Sequence, residues 1–204
     1  MQQSFAPEGS MPLLVEPAGR IPWYLRPAIW VARRMTGKDP LPARLLAWFP
    51  KGALGAGLFE LTAAGPADLD PRLLAVARIV ASLACGCPFC LDMNAATWAR
   101  AGLKADELRR LLDPRSDLAP LGAREALAAR YARALSLTPV VVDGPLRTML
   151  RGAFTDRELV VLATTIAQVN YWSRFNQGLG VPAAGFFDQS VCALPSRPAE
   201  WSPR

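Results

Sequence analysis

The 204-residue chain carries 23 Lys and Arg against 17 Asp and Glu, a formal net charge of +6, and 51% of its residues are hydrophobic. That is enough apolar material for a full core and excludes a disordered, highly charged chain. The basic residues are single arginines dispersed along prospective helices, with no basic run interleaved with aromatics, so nucleic-acid binding is not expected.

Residues 1–19 and 195–204, loaded with Pro, Ser and Gly, read as an N-terminal arm and a C-terminal tail, leaving 20–194 as a single helical domain. The start, Met1-Gln2-Gln3-Ser4, lacks the basic residues and apolar run of a signal peptide, and no apolar stretch approaches the roughly 20 residues of a membrane span. These features place the protein in the cytoplasm with no membrane association.

One local exception to that dispersed pattern is Ile21 to Met35, where Trp23, Tyr24, Ile29, Trp30 and Val31 stand beside Arg20, Arg26, Arg33 and Arg34. Such a segment can lie on a membrane, dock on another subunit or pack on its own domain; Trp and Tyr supply large buried area, which favours packing. Prolines then divide the chain into Ala-, Leu- and Arg-rich pieces of helical length. The pattern predicts helices over 23–36, 43–48, 52–64, 71–84, 88–101, 105–112, 121–136, 144–152 and 156–178, an all-α fold. Thr155-Asp156-Arg157-Glu158 ahead of an apolar run has the form of a capping box. Val140-Val141-Val142 is the best strand candidate, short and bounded by prolines.

Three of the four cysteines lie together in Cys85-Gly86-Cys87-Pro88-Phe89-Cys90. Pro88 suits the first turn of a helix, which puts Cys87 near the N-cap and Cys90 within the first turn, where exposed N–H groups favour a thiolate. In a compartment that keeps thiols reduced, Cys-x-x-Cys points to catalysis or metal binding before a structural staple. The chain has no histidine. Without one, or a second cysteine pair, the zinc pattern is incomplete, so no metal and no cofactor are expected. Cys85 reads as a small buried residue ending the preceding helix, and Cys192 as a buried or unpaired thiol.

A shift of 83 positions lays the cysteine segment on the last helix, matching Ala75 with Glu158, Cys87 with Asn170, Cys90 with Ser173 and Asn94 with Gln177. Internal duplication and coincidence between two Ala/Leu-type helices both account for this.

The segment Leu73–Leu103, with its apolar helix, Gly86-Cys87-x-x-Cys90, Asp92 and Ala101-Gly102-Leu103, resembles the core of the AhpD-like and carboxymuconolactone decarboxylase superfamily. The stretch from Phe154 through Asn170-Tyr171-Trp172-Ser173-Arg174-Phe175-Asn176-Gln177-Gly178-Leu179-Gly180 resembles the C-terminal part of its longer members. The resemblance implies a bundle of packed helix hairpins, usually oligomeric. It also implies a thiol peroxidase in which Cys90 reacts with a hydroperoxide, Cys87 resolves it and a dithiol partner re-reduces the pair. Peroxidatic members carry a His four residues after the second cysteine and a Glu twelve before the first; this chain has Asn94 and Ala75 there. Asn94 and Glu158 are the candidates to supply what is missing, the first by hydrogen bonding near a sulfur, the second by approach from the opposite repeat. Their plainer readings are a polar helix residue and a capping residue. Two functions follow: a weak hydroperoxide-reducing oxidoreductase, or a noncatalytic or differently catalytic member that assembles or binds a small molecule. A homo-oligomer is expected, most simply a dimer, with apolar helix faces and the Trp23–Trp30 segment at the contact.

Overall fold

The computed structural model describes residues 12–113 and 115–195. The expected tail, apart from its first residue, and residues 1–11 of the expected arm lie outside the described residues. Among the described residues there are nine α-helices and no strand: α1 (Arg26–Thr36), α2 (Leu41–Leu46), α3 (Pro50–Leu61), α4 (Pro71–Ala84), α5 (Pro88–Ala95), α6 (Ala105–Leu112), α7 (Ala123–Ser136), α8 (Gly144–Ala153) and α9 (Asp156–Gly178). The Val140–Val142 run is irregular, with Val140 and Val141 exposed.

Helix α4 is the axis of the bundle. Leu73, Leu74, Val76, Ile79, Val80 and Leu83 are buried all around it, the signature of a helix enclosed by others. It packs on α7 and α9 and also meets α5 and α6. Its start is fixed by Asp70, whose side chain accepts the Arg72 N–H, and by the Arg72 guanidinium, which pairs with Glu107 of α6 and Glu125 of α7. Each fully buried aliphatic side chain here stabilises the fold by about 1.5–3 kcal/mol. The last helix begins on the expected capping box, with the Thr155 N–H donating to Glu158 and the Glu158 N–H to Thr155.

Where boundaries differ from expectation, proline and glycine decide. Helices α2 and α3 begin two residues early because Pro42 and Pro50 sit in their first turns. Helix α5 stops at Ala95, and the chain turns through Gly102 at φ +76° before α6.

The expected arm is bound over its described part. The Leu14 N–H donates to Leu179 O, and Ala18 is buried with Leu25 and Ala47. The aromatics at and before α1 do not turn inward as expected: Trp23 is 78% and Trp30 65% exposed, while Leu25 and Ile29 face the protein. A second exposed apolar surface runs along α3, where Leu54, Leu58 and Leu61 recur at helical spacing beside Trp48 and Phe49. No described helix is long and apolar enough to cross a membrane.

Candidate active site

The site forms where α4 gives way to α5. Cys85 caps the C-terminus of α4, Gly86 reverses the chain at φ +65°, and Cys87 caps the N-terminus of α5 with its sulfur accepting the Cys90 N–H at 3.2 Å. A Cβ at residue 86 would be strained in that left-handed conformation, so the glycine is what allows two helices to meet with cysteines on both ends. The Cys87–Cys90 spacing thus becomes a pair of free thiols on the first turn of a helix.

Helix α9 closes the other side. Asn176 donates through Nδ2 to the Cys90 sulfur at 3.5 Å. The Ser173 hydroxyl lies against the sulfurs of Cys85, Cys87 and Cys90, yet among the described residues it has no partner in full hydrogen-bonding geometry. The buried Asn176 Oδ1 is likewise unpartnered. Orphaned polar atoms are rare in a native interior and mark a place where a ligand, a water or a newly formed charge finds its partner. Asn170 and Gln177 complete this face: Asn170 accepts from the Cys85 thiol at 3.3 Å, and Gln177 donates to the Cys85 carbonyl at 3.0 Å.

The two thiols of the pair differ in character. Cys90 is held below the usual thiol range, first by the hydrogen bond from Cys87 and then by Ser173 and Asn176, against the opposing effect of burial. Cys87 is driven up because it holds the shared proton, is buried and would face a charged Cys90. The arrangement therefore favours ionisation at Cys90 and retention of the proton on Cys87. Burial pushes the Cys85 thiol up.

Apolar side chains enclose the pair. Cys87 and Cys90 share a cluster, separate from the main core, with Leu45, Phe89, Val181, Trp172, Phe175 and Phe186. Phe89 and Phe186 meet edge to face with centroids 5.8 Å apart. The loop 179–187 that brings Val181 and Phe186 is held by Asp92, which is only 2% exposed. Its carboxylate accepts the N–H groups of Ala184, Phe186 and Phe187 at 2.9, 3.1 and 2.9 Å. Two ends of the chain are thereby folded over the thiols, since Leu13 joins the same cluster.

The structure brings Cys87 and Cys90 together, while the hydrogen bonds of the other two candidates go to groups other than the sulfurs. Asn94 spends its Nδ2 on Ser82 Oγ and the Cys90 carbonyl, both at 2.9 Å, so it braces α5 against α4. Glu158 is engaged with Thr155 and Arg124. It lies fifteen residues from Ser173, about 22 Å along the helix, so it serves as a cap and ion-pair partner. Ala75 is buried in the main core. In the sequence Ser173 stands out only as the partner of Cys90 in the 83-residue shift and Asn176 only within the C-terminal stretch that carries the family resemblance; both belong to the site. Their spacing, with Asn170 at i, i+3 and i+6, was the available signal. No group of three or more His, Cys, Asp or Glu side chains that could hold a metal ion occurs among the described residues.

A helical bundle with a buried Cys-x-x-Cys at a helix N-terminus defines a class of all-α thiol proteins. A sequence model of the carboxymuconolactone decarboxylase family matches residues 53–134. YnjA of Escherichia coli (strain K12), an uncharacterized protein, is 33% identical over 186 residues, covering 89% of this chain and 97% of YnjA. The chain belongs to the carboxymuconolactone decarboxylase family. Among solved structures, the apo debrominase Bmp8 is similar at a TM-score of 0.70 and 20% identity, covering 87% of this chain and 95% of Bmp8. The alkylhydroperoxidase AhpD core of a peroxidase-related protein from Ralstonia eutropha JMP134 is similar at 0.69 and 19%, covering 87% and 96%. At these identities the likeness is one of fold.

Proposed function

We propose that the protein is a thiol–disulfide oxidoreductase of the alkylhydroperoxidase type that reduces hydroperoxides through Cys87 and Cys90. The observation that carries this reading is the split between the two thiols, a Cys90 sulfur that accepts from Asn176 beside a Cys87 that keeps its proton. The Cys90 thiolate attacks the terminal oxygen of R–O–OH; the O–O bond breaks, Cys90 becomes a sulfenic acid, and the leaving alkoxide takes a proton to depart as the alcohol. Cys87 then attacks the sulfenic sulfur, water leaves, and the disulfide closes. A dithiol partner returns two electrons and two protons. The Ser173 hydroxyl, among the sulfurs, is placed to pass the proton that a histidine would otherwise handle.

Turnover is slow beside members that hold the His and Glu, since general acid–base assistance typically contributes about 10²–10⁴-fold. The protein works as a homo-oligomer in the cytoplasm, with the apolar α3 face as the contact. The test is consumption of cumene hydroperoxide with dithiothreitol as reductant: Cys90→Ser abolishes it, and Cys87→Ser traps a Cys90 sulfenic acid. A folded wild-type protein that consumes no hydroperoxide and forms no Cys87–Cys90 disulfide refutes the reading.

The aromatic enclosure by Phe89, Trp172, Phe175 and Phe186 favours one second reading, a differently catalytic member acting on an apolar halide. Bmp8, named a debrominase, has also been solved as a cysteine-to-alanine variant in complex with 2,3,4-tribromopyrrole. Here the two thiols would reduce a carbon–bromine bond to carbon–hydrogen, releasing bromide and a proton and leaving the disulfide. Bromide release from a bromopyrrole in place of hydroperoxide consumption distinguishes the two.

A further inference from the structure

The pair Cys87 and Cys90 poses a problem of access. Each is 1% exposed, so the disulfide they form offers an external dithiol no open line to either sulfur. Cys85 is different: it is partly exposed, it is a free thiol, and it lies on the same Ser173 hydroxyl as the other two sulfurs. Three contacts hold it there. Its sulfur bonds to Asn170, its carbonyl accepts from Gln177, and Gly86 turns the backbone so that Cys85 and Cys87 cap adjoining helix ends. The absence of a full-geometry partner for the buried Ser173 hydroxyl fits a group that serves whichever sulfur carries the charge.

We propose that Cys85 is a third exchange thiol, which takes the disulfide from the buried pair and presents it to the external dithiol. This rests on the oxidoreductase reading above. The Cys85 thiol loses its proton to solvent and its thiolate attacks the Cys87 sulfur; the Cys87–Cys90 bond breaks, and a Cys85–Cys87 disulfide forms with no net oxidation. Attack falls on Cys87 because Cys90, stabilised by the donor Asn176, is the better leaving thiolate. The external dithiol then attacks Cys85 as a thiolate, Cys87 leaves and takes up a proton, and the second thiol of the reductant resolves the mixed disulfide. The reductant leaves oxidised and Cys85 is again a thiol. Cys90 is freed as a thiolate before the reductant arrives, so the site is rearmed from within.

The experiment compares three proteins on a Cys192→Ser background: the parent, Cys85→Ser and Cys90→Ser, each verified as folded by circular dichroism. Diamide is the oxidant, dithiothreitol the reductant, and alkylation mass spectrometry counts free thiols. On oxidation, monomeric Cys90→Ser is expected to lose both remaining thiols together, as an internal Cys85–Cys87 disulfide. Oxidised Cys85→Ser is expected to be reduced at least about tenfold more slowly than the oxidised parent. A parent that forms its disulfide while Cys90→Ser keeps both thiols, or a Cys85→Ser disulfide reduced at the parental rate, overturns the exchange role alone. A folded parent that forms no disulfide overturns the oxidoreductase reading and this one with it.

Discussion

The Asn176 side chain donates through Nδ2 to the Cys90 sulfur at 3.5 Å, joining residues 86 positions apart across the contact between α5 and α9. With the Cys87 thiol on its other side, Cys90 is the sulfur that ionises first. Its reaction with iodoacetamide follows the thiolate fraction, so a lowered pKa moves the rate profile to lower pH, with its midpoint below the usual thiol value of 9.0. Cys87→Ala removes the largest cause of the shift and moves the midpoint up. Asn176→Ala does the same to a smaller extent, through the loss of one hydrogen bond to a charged sulfur. Stopped-flow alkylation from pH 5 to 10 on a Cys85→Ser, Cys192→Ser background measures all three. A midpoint unchanged in both variants contradicts the assignment.

Asp92 determines how the thiols are covered. Replacing it with Ala leaves three buried N–H groups of the loop 184–187 without their acceptor, at a cost of about 2–4 kcal/mol in stability. The loop then loosens, and alkylation of Cys87 and Cys90 accelerates under native conditions even where the protein remains folded. Denaturant melts report the first effect and timed alkylation the second. Native alkylation no faster than in the wild type would detach Asp92 from the cover.

Asn94→His places an imidazole one helical turn after Cys90, where Asn94 now bonds to Ser82 and the Cys90 carbonyl. Restoring a group that titrates near neutral pH is expected to raise hydroperoxide consumption by up to about 10²-fold. Adding Ala75→Glu is expected to destabilise the protein, because Ala75 is packed in the main core and a carboxylate there has no partner in place. Steady-state peroxide kinetics of the single variant, beside the melting temperature of the double, separate the two effects. An Asn94→His protein no faster than the wild type argues against the placement of the reacting sulfur.

The α3 face predicts assembly. Leu54, Leu58 and Leu61 are 56%, 63% and 86% exposed in one helical stripe, an arrangement that a second copy of the chain would bury. Light scattering is expected to give an oligomer for the wild type, and Leu54→Glu with Leu58→Glu is expected to weaken it. A wild-type monomer at micromolar concentration defeats the proposal; an oligomer intact in the folded double variant moves the contact elsewhere, with Trp23 and Trp30 the next surface to change.

Local chemistry determined most of the elements. Proline at helix starts, the Thr155–Glu158 box and the uniform apolarity of 73–84 act within one or two turns, so they can be read in order along the chain. The same is true of Cys87 at the N-cap and Cys90 in the first turn, because a helix N-terminus is a local object. Exposure of Trp23 and Trp30 was not legible, since an amphipathic helix shows which residues share a face and not whether a neighbour covers it. Glu158 was drawn toward the thiols by the proposed repeat, but 23 residues of unbroken helix keep its capping position far from Ser173. Ser173, Asn176 and Asn170 meet the cysteines only because α9 packs on α4 and α5. Asp92 shows the same division: its place two residues after Cys90 is legible along the chain, while packing turns its carboxylate inward to three N–H groups more than ninety residues away. The sequence alone determined the helices and the paired thiols, through interactions that reach a few residues. Which polar groups surround each sulfur, and which sulfur is reachable, was decided by tertiary packing.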